Sequence, residues 1–133
     1  RRLSDLAVAE RIDLARIVGR GTLVVLRLDP DPRVVAALLD NRFAIEGDVV
    51  QSAARAGAPP EVLEVIAAHP RWSLRPAIRS TMLRNAALPV PSALPLLPRA
   101  TRDDLELLRS GPRTPTLLRA CAERVLADRS GEV

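Results

Sequence analysis

The sequence predicts an all-α fold, an α-solenoid of about four to five short helix pairs stacked in chain order, on three observations. First, a proline followed within three residues by an apolar pair recurs at Pro32-Arg33-Val34-Val35, Pro60-Glu61-Val62-Leu63, Pro91-Ser92-Ala93-Leu94 and Pro115-Thr116-Leu117-Leu118. The steps between these prolines are 28, 31 and 24 residues, the range in which one period is one helix pair. A pair of that size cannot bury its own apolar face and needs its neighbours. Second, the one β-branched run, Thr22-Leu23-Val24-Val25-Leu26, has no second strand to pair with and reads as buried helix. Third, with one Phe, one Trp and no Tyr in 133 residues, the core falls to Leu, Val, Ile and Ala, which suit close helix packing.

Residues 1–28 form an N-terminal capping pair. Ser4 or Asp5 caps a helix running to about Val18, with Leu6, Ile12, Leu14 and Ile17 as its apolar stripe. Gly19-Arg20-Gly21 ends it, and a second, mostly apolar helix runs to about Leu28. There Asp29-Pro30-Asp31-Pro32 stops it, because proline lacks an amide proton and disfavours helix in the residue before it. Repeats follow over 29–56, 57–85 and 86–110. The first pairs Val34 to about Leu39 with Gly47 or Asp48 to Arg55, through a link containing Asn41 and Phe43. The next pairs Glu61 to Ala68 with Leu74 to about Arg84, through His69-Pro70-Arg71-Trp72-Ser73; Ser73 is a cap, and Pro76 falls in the tolerant first turn. The last pairs Ser92 to Leu97, a distorted turn because of Pro95 and Pro98, with Asp103 to about Arg109, entered through the capping sequence Thr101-Arg102-Asp103-Asp104. Residues 111–133 supply a C-terminal capping helix from Leu117 to about Ala127, frayed over Ser130-Gly131-Glu132-Val133.

All 20 basic residues are arginine, which lifts the isoelectric point to about 11.0 although the formal net charge is only +4. That charge is ordinary for a soluble domain, and the arginine and alanine bias points to a GC-rich genome before it points to an anionic partner. A lone cysteine, Cys121, excludes a disulfide framework and a sulfur-rich metal site, and the expected location is cytoplasmic. No apolar run is long enough to span a membrane, and Arg1-Arg2-Leu3-Ser4-Asp5 lacks the apolar stretch of a signal peptide.

No set of residues identifies a reaction, so the expectation is a protein that is not an enzyme and takes no cofactor or metal. His69, before Pro70, reads as a helix-end cap, and Cys121 in Leu118-Arg119-Ala120-Cys121-Ala122 as a small core residue. Asp103, Asp104 and Glu106 read as first-turn charges matched to the helix dipole. The strongest binding candidate is Arg71, Trp72, Arg75 and Arg79. A helix starting near Leu74 puts Arg75 and Arg79 on one face, with Arg71 and Trp72 at its entrance, a basic ledge with an aromatic edge. Trp72 is expected to be mostly buried between the 57–85 and 86–110 repeats.

Short helices with proline-rich corners at this period resemble the HEAT-like, armadillo-like and leucine-rich-variant α-solenoids. His69-Pro70-Arg71-Trp72-Ser73 with Ile78, Leu83-Arg84-Asn85, Pro91, Leu96-Leu97-Pro98 and Asp104-Leu105 resembles a bacterial family of uncharacterised helical-repeat proteins, although Ala86 stands where that family's Asn-Pro corner carries proline. The resemblance implies a non-catalytic scaffold that binds a protein or peptide on its stacked helices. It also implies two alternatives, nucleic-acid backbone binding in an arginine-lined groove and, further off, a DNA-processing enzyme with Asp48 or Glu46 beside Trp72. The iron–sulfur module of some leucine-rich-variant proteins needs clustered cysteines, which this chain lacks.

Overall fold

The computed structural model describes residues 2–131, apart from the side chain of Ser4; Arg1, Glu132 and Val133, and with them half of the frayed end expected over 130–133, lie outside the described residues. Among the described residues there is helix and no strand. In order come α1 (Val8–Ile17), α2 (Arg20–Leu26), α3 (Pro32–Leu39), α4 (Glu46–Ala54), α5 (Pro60–Ala68), α6 (Pro76–Leu83), the single turn α7 (Val90–Ala93), α8 (Arg102–Ser110) and α9 (Thr116–Arg129). Three 3-10 turns, Leu3–Asp5, Trp72–Leu74 and Leu94–Arg99, fill the links. Among the described residues no helix is long and apolar enough to cross a membrane.

Prolines mark several helix starts, at Pro32 and Pro60 as expected, while Pro91 falls one residue inside α7. Pro32, Pro60 and Pro76 each occupy the first helical position, where the missing amide proton costs nothing, and Pro115 is the residue before α9. Asp31 caps α3 by accepting the Arg33 amide at 2.9 Å, and Thr101 caps α8 by accepting the Asp104 amide at 3.1 Å. Thr22–Leu26 is helix, as the lack of a partner strand requires, but it is not buried all round: Leu23 and Leu26 face the core and Val25 is 57 % exposed.

Three starts differ from expectation. The Ser4–Asp5 stretch belongs to a 3-10 turn, and α1 begins after Ala7 without a side-chain cap. Gly19-Arg20-Gly21 is not the stop: Val18 and Gly19 are extended and turn the chain, while Arg20 and Gly21 already lie in α2. The helix can end so abruptly because Asn41 Nδ2 donates to the carbonyls of Ala15 and Val18, both at 2.9 Å, supplying partners that α1 lacks internally. Lastly, α6 begins at Pro76 rather than near Leu74, and the Ser73 hydroxyl donates back to the His69 carbonyl instead of capping α6.

Two runs of helices pack in alternation, while α2 lies against its neighbours α1 and α3, and α8 and α9 pack chiefly on each other. The odd helices α1, α3, α5, α7 and α9 touch in succession, as do α4, α6 and α8. The apolar helix α3 is buried nearly all round and belongs to two cores. Val34, Ala37 and Leu38 face Ala15, Leu23 and Leu26, while Val35 and Leu39 face the larger cluster that runs from Val49 to Ala122.

Two buried carboxylates fasten the even helices. Asp48, in the first turn of α4, accepts from Arg20 and from Arg27 (3.0 Å), which stand at the two ends of α2, and from its own Ile45 amide at 2.8 Å. Asp104, in the first turn of α8, accepts from Ser80 and from Arg84 (3.1 Å), the residue that closes α6. Burial pushes both carboxyls up, but the hydrogen bonds outweigh it and hold both below the usual 3.8. A carboxyl whose folded value is depressed stabilises the fold above its unfolded value, and that contribution is lost as pH falls through the folded one. Unfolding curves recorded downward from pH 7 should therefore hold their midpoint until about pH 4 and fall below it. Asp48→Asn and Asp104→Asn should each flatten that fall; an unchanged slope in both would show that other carboxylates govern it.

Candidate functional site

The α3–α4 and α5–α6 links lie side by side at the end of the molecule where α4 and α6 begin. Three contacts hold them together. His69 closes α5, its Nδ1 accepts the Arg71 and Trp72 amides at 3.2 Å, and its Nε2 therefore carries the proton and donates to Asp40 Oδ1 at 3.0 Å. Trp72 Nε1 donates to the Leu39 carbonyl at 2.7 Å, and Arg71 Nη2 reaches the same oxygen at 3.1 Å. Arg75 Nη1 lies 3.8 Å from Glu46 Oε1.

Around Trp72 this produces a stacked arrangement. The indole is 3 % exposed, and the guanidinium carbons of Arg71 and Arg75 lie 5.0 and 4.7 Å from its centroid. Burial is as expected, but the place differs: the indole nitrogen bonds the end of α3, so Trp72 joins the 57–85 repeat to the one before it. The 3-10 turn folds the link back toward α3, where a continuous helix from Leu74 would have carried it forward.

The expected Arg75–Arg79 ledge does not form. Arg75 is extended and precedes the helix, as a residue before proline must be, so the two do not share a helical face. Arg79 is only 8 % exposed, and its Nη1 turns back to the Leu74 carbonyl at 3.3 Å. Pro76 was the signal: it moves the helix start past Arg75.

In place of Arg79 the structure adds residues that the spacing did not single out. Phe43, Ile45 and Leu74 are 38, 54 and 55 % exposed, large apolar side chains on the same pair of links. The Arg42 guanidinium carbon lies 4.7 Å from the Phe43 centroid, repeating the arginine-on-ring contact. The contact between Arg75 and Glu46 brings the two links together at this end. The pair of links thus carries an exposed apolar set, Phe43, Ile45 and Leu74, together with Arg42, Arg71 and Arg75. Runs of polar and turn residues hid it, since an apolar residue in a link has no periodicity to mark it.

The other candidate groups are engaged within the chain. His69 uses both ring nitrogens, and rather than capping carbonyls it accepts amides. Cys121 is half-buried against the core. Asp104 is enclosed, while Glu106 pairs with Arg109 one turn along α8. Asp48 and Trp72 are both buried, so no groove exposes them together, and Glu46 meets Trp72 only through Arg75. Among the described residues no three His, Cys, Asp or Glu side chains group as metal ligands. Searches against known protein families, curated proteins and solved structures find no match to this chain.

Proposed function

We propose that the chain is a HEAT-like α-solenoid and a non-catalytic interaction module, which binds a protein or peptide partner along the edge formed by the Asn41–Ile45 and His69–Arg75 links. The single observation that carries this is that Phe43, Ile45 and Leu74 are all exposed on the two links that also carry Arg42, Arg71 and Arg75. Aromatic, apolar and arginine side chains are the types that anchor protein interfaces. The partner it fits offers apolar side chains next to aspartate or glutamate, since Arg42, Arg71 and Arg75 stand on the same two links. The proline period and the succession of helix contacts support the solenoid arrangement.

Backbone-phosphate binding is the competing reading, and the charge pattern supports it less. Arg11 is spent on Asp29, Arg20 and Arg27 on Asp48, Arg84 on Asp104 and Arg109 on Glu106, so acid interrupts the arginine series along the chain. The test is affinity capture from lysate of the source cells, followed by measurement of Kd for the captured partner. Leu74→Asp combined with Ile45→Asp should weaken binding by roughly 30-fold or more, the effect of losing one interface anchor. The melting temperature should move by no more than about 2 °C, because both side chains are exposed. A partner held equally by wild type and variant would refute this edge as the site. Capture of nucleic acid with affinity falling steeply in salt would move the reading to phosphate binding.

A further inference from the structure

At the far ends of α6 and α8 lies a groove of about 440 Å³, formed between the α6–α7 and α8–α9 links. Leu83, Leu88, Leu108 and Leu118 make its floor, and Leu107, 51 % exposed, forms its lip. That volume lies within the range of ligand pockets, and the lining is mostly apolar, as such pockets are. The α8–α9 wall is fixed in place. Arg119 donates to the carbonyls of Arg109 and Gly111, both at 2.7 Å, and a Cβ on Gly111 would meet Thr114 Oγ1 at 2.7 Å, so the link is tightly turned. The groove is therefore present before any ligand arrives, which lowers the entropy cost of binding.

Arg84 and Asp104 on its rim pair with each other, which leaves Arg113 as the unpaired charge of the lining among the described residues. Asp104 lines the groove, but its carboxylate is already satisfied by Arg84 and Ser80. Arg113 also lines it and has no hydrogen bond or ion pair among the described residues. No acidic side chain occupies the first turn of α9, which opens on the same rim. A carboxylate placed there meets a free guanidinium in a fork geometry. The groove is also open along one side. A small molecule would stay half in water, whereas an anchor projecting from a larger partner needs only its tip enclosed.

We infer that this groove is a second binding site, for a protein segment that inserts a leucine or aromatic side chain between the two links and gives an aspartate or glutamate, within four residues of it, to Arg113. The inference goes beyond the edge at Phe43, Ile45 and Leu74, and its test keeps the two apart. The purified chain is used to select from a random peptide display library, and the enriched sequences are synthesised and titrated by calorimetry. Peptides pairing Leu, Phe or Trp with Asp or Glu at that spacing should bind the wild type and lose about tenfold or more in Leu107→Asp and in Arg113→Glu. The same peptides should bind Leu74→Asp unchanged, and Arg113→Lys should recover part of the affinity. Both groove substitutions sit at exposed positions, so the melting temperature confirms that each variant folds. Peptides that lose affinity only in Leu74→Asp would overturn this inference and leave the first edge standing. Failure to enrich any peptide, with decanoate binding that Leu107→Asp abolishes, would overturn it in favour of a small amphipathic acid; failure with no decanoate binding would show that the groove is not a site.

Discussion

Replacing Trp72 by alanine should lower the unfolding free energy by about 3 to 5 kcal/mol, the cost of emptying a buried aromatic site. For a domain of this size that corresponds to a fall of roughly 10 to 20 °C in melting temperature. The expectation is this large because three contributions meet at one ring. The indole is a buried member of the main core cluster, its Nε1 satisfies the Leu39 carbonyl at the end of α3, and it supports the Arg71 and Arg75 stacks. Trp72→Phe separates these parts. Phenylalanine keeps most of the apolar area but leaves the carbonyl with Arg71 alone, so about 1 to 2 kcal/mol should be lost. Chemical denaturation of the three proteins measures the series directly. Equal stability of wild type and Trp72→Ala would mean that the ring is exposed and the link not docked on α3.

Removing both arginines from the Asp48 clamp should cost a comparable amount. In Arg20→Ala/Arg27→Ala the fully buried carboxylate keeps only the Ile45 amide, and an uncompensated buried charge costs about 3 to 5 kcal/mol. The removed side chains are themselves partly exposed, so the loss belongs at the lower end of that range. Two signatures separate this cause from lost packing. Adding Asp48→Asn to the double variant should restore stability, because a neutral amide no longer needs the cations. The gap between wild type and double variant should also narrow as pH falls through the folded value of Asp48. Wild type loses the stability of its ionised carboxylate there, while in the variant burial alone raises the carboxyl, which has protonated earlier. A third substitution that destabilises further would show that Asp48 serves packing instead.

Much of the helical content was legible in the residues. Helix starts at Pro32 and Pro60, the cap Thr101, and the helical state of Thr22–Leu26 were all readable because each depends on groups within about four residues of one another. The candidate site was half legible. Arg71, Trp72 and Arg75 do come together, but Arg79 turns into the protein, and Phe43, Ile45 and Leu74 were not foreseen. His69 had no visible partner because Asp40 lies 29 residues earlier, across the gap between two links.

By itself, then, the sequence determined that this chain is helical and where most of its helices begin, since propensity, capping and proline sterics act locally. Only the tertiary structure decided which carboxylate faces which arginine, which exposed apolar side chains share a pair of links, and that a groove opens between Leu83 and Leu118. Those outcomes depend on the rotation of each helix about its axis and on the path of its link. A link of six or seven residues can turn either way until the side chains it brings together, Trp72 on Leu39 and Asn41 on Ala15, fix one path.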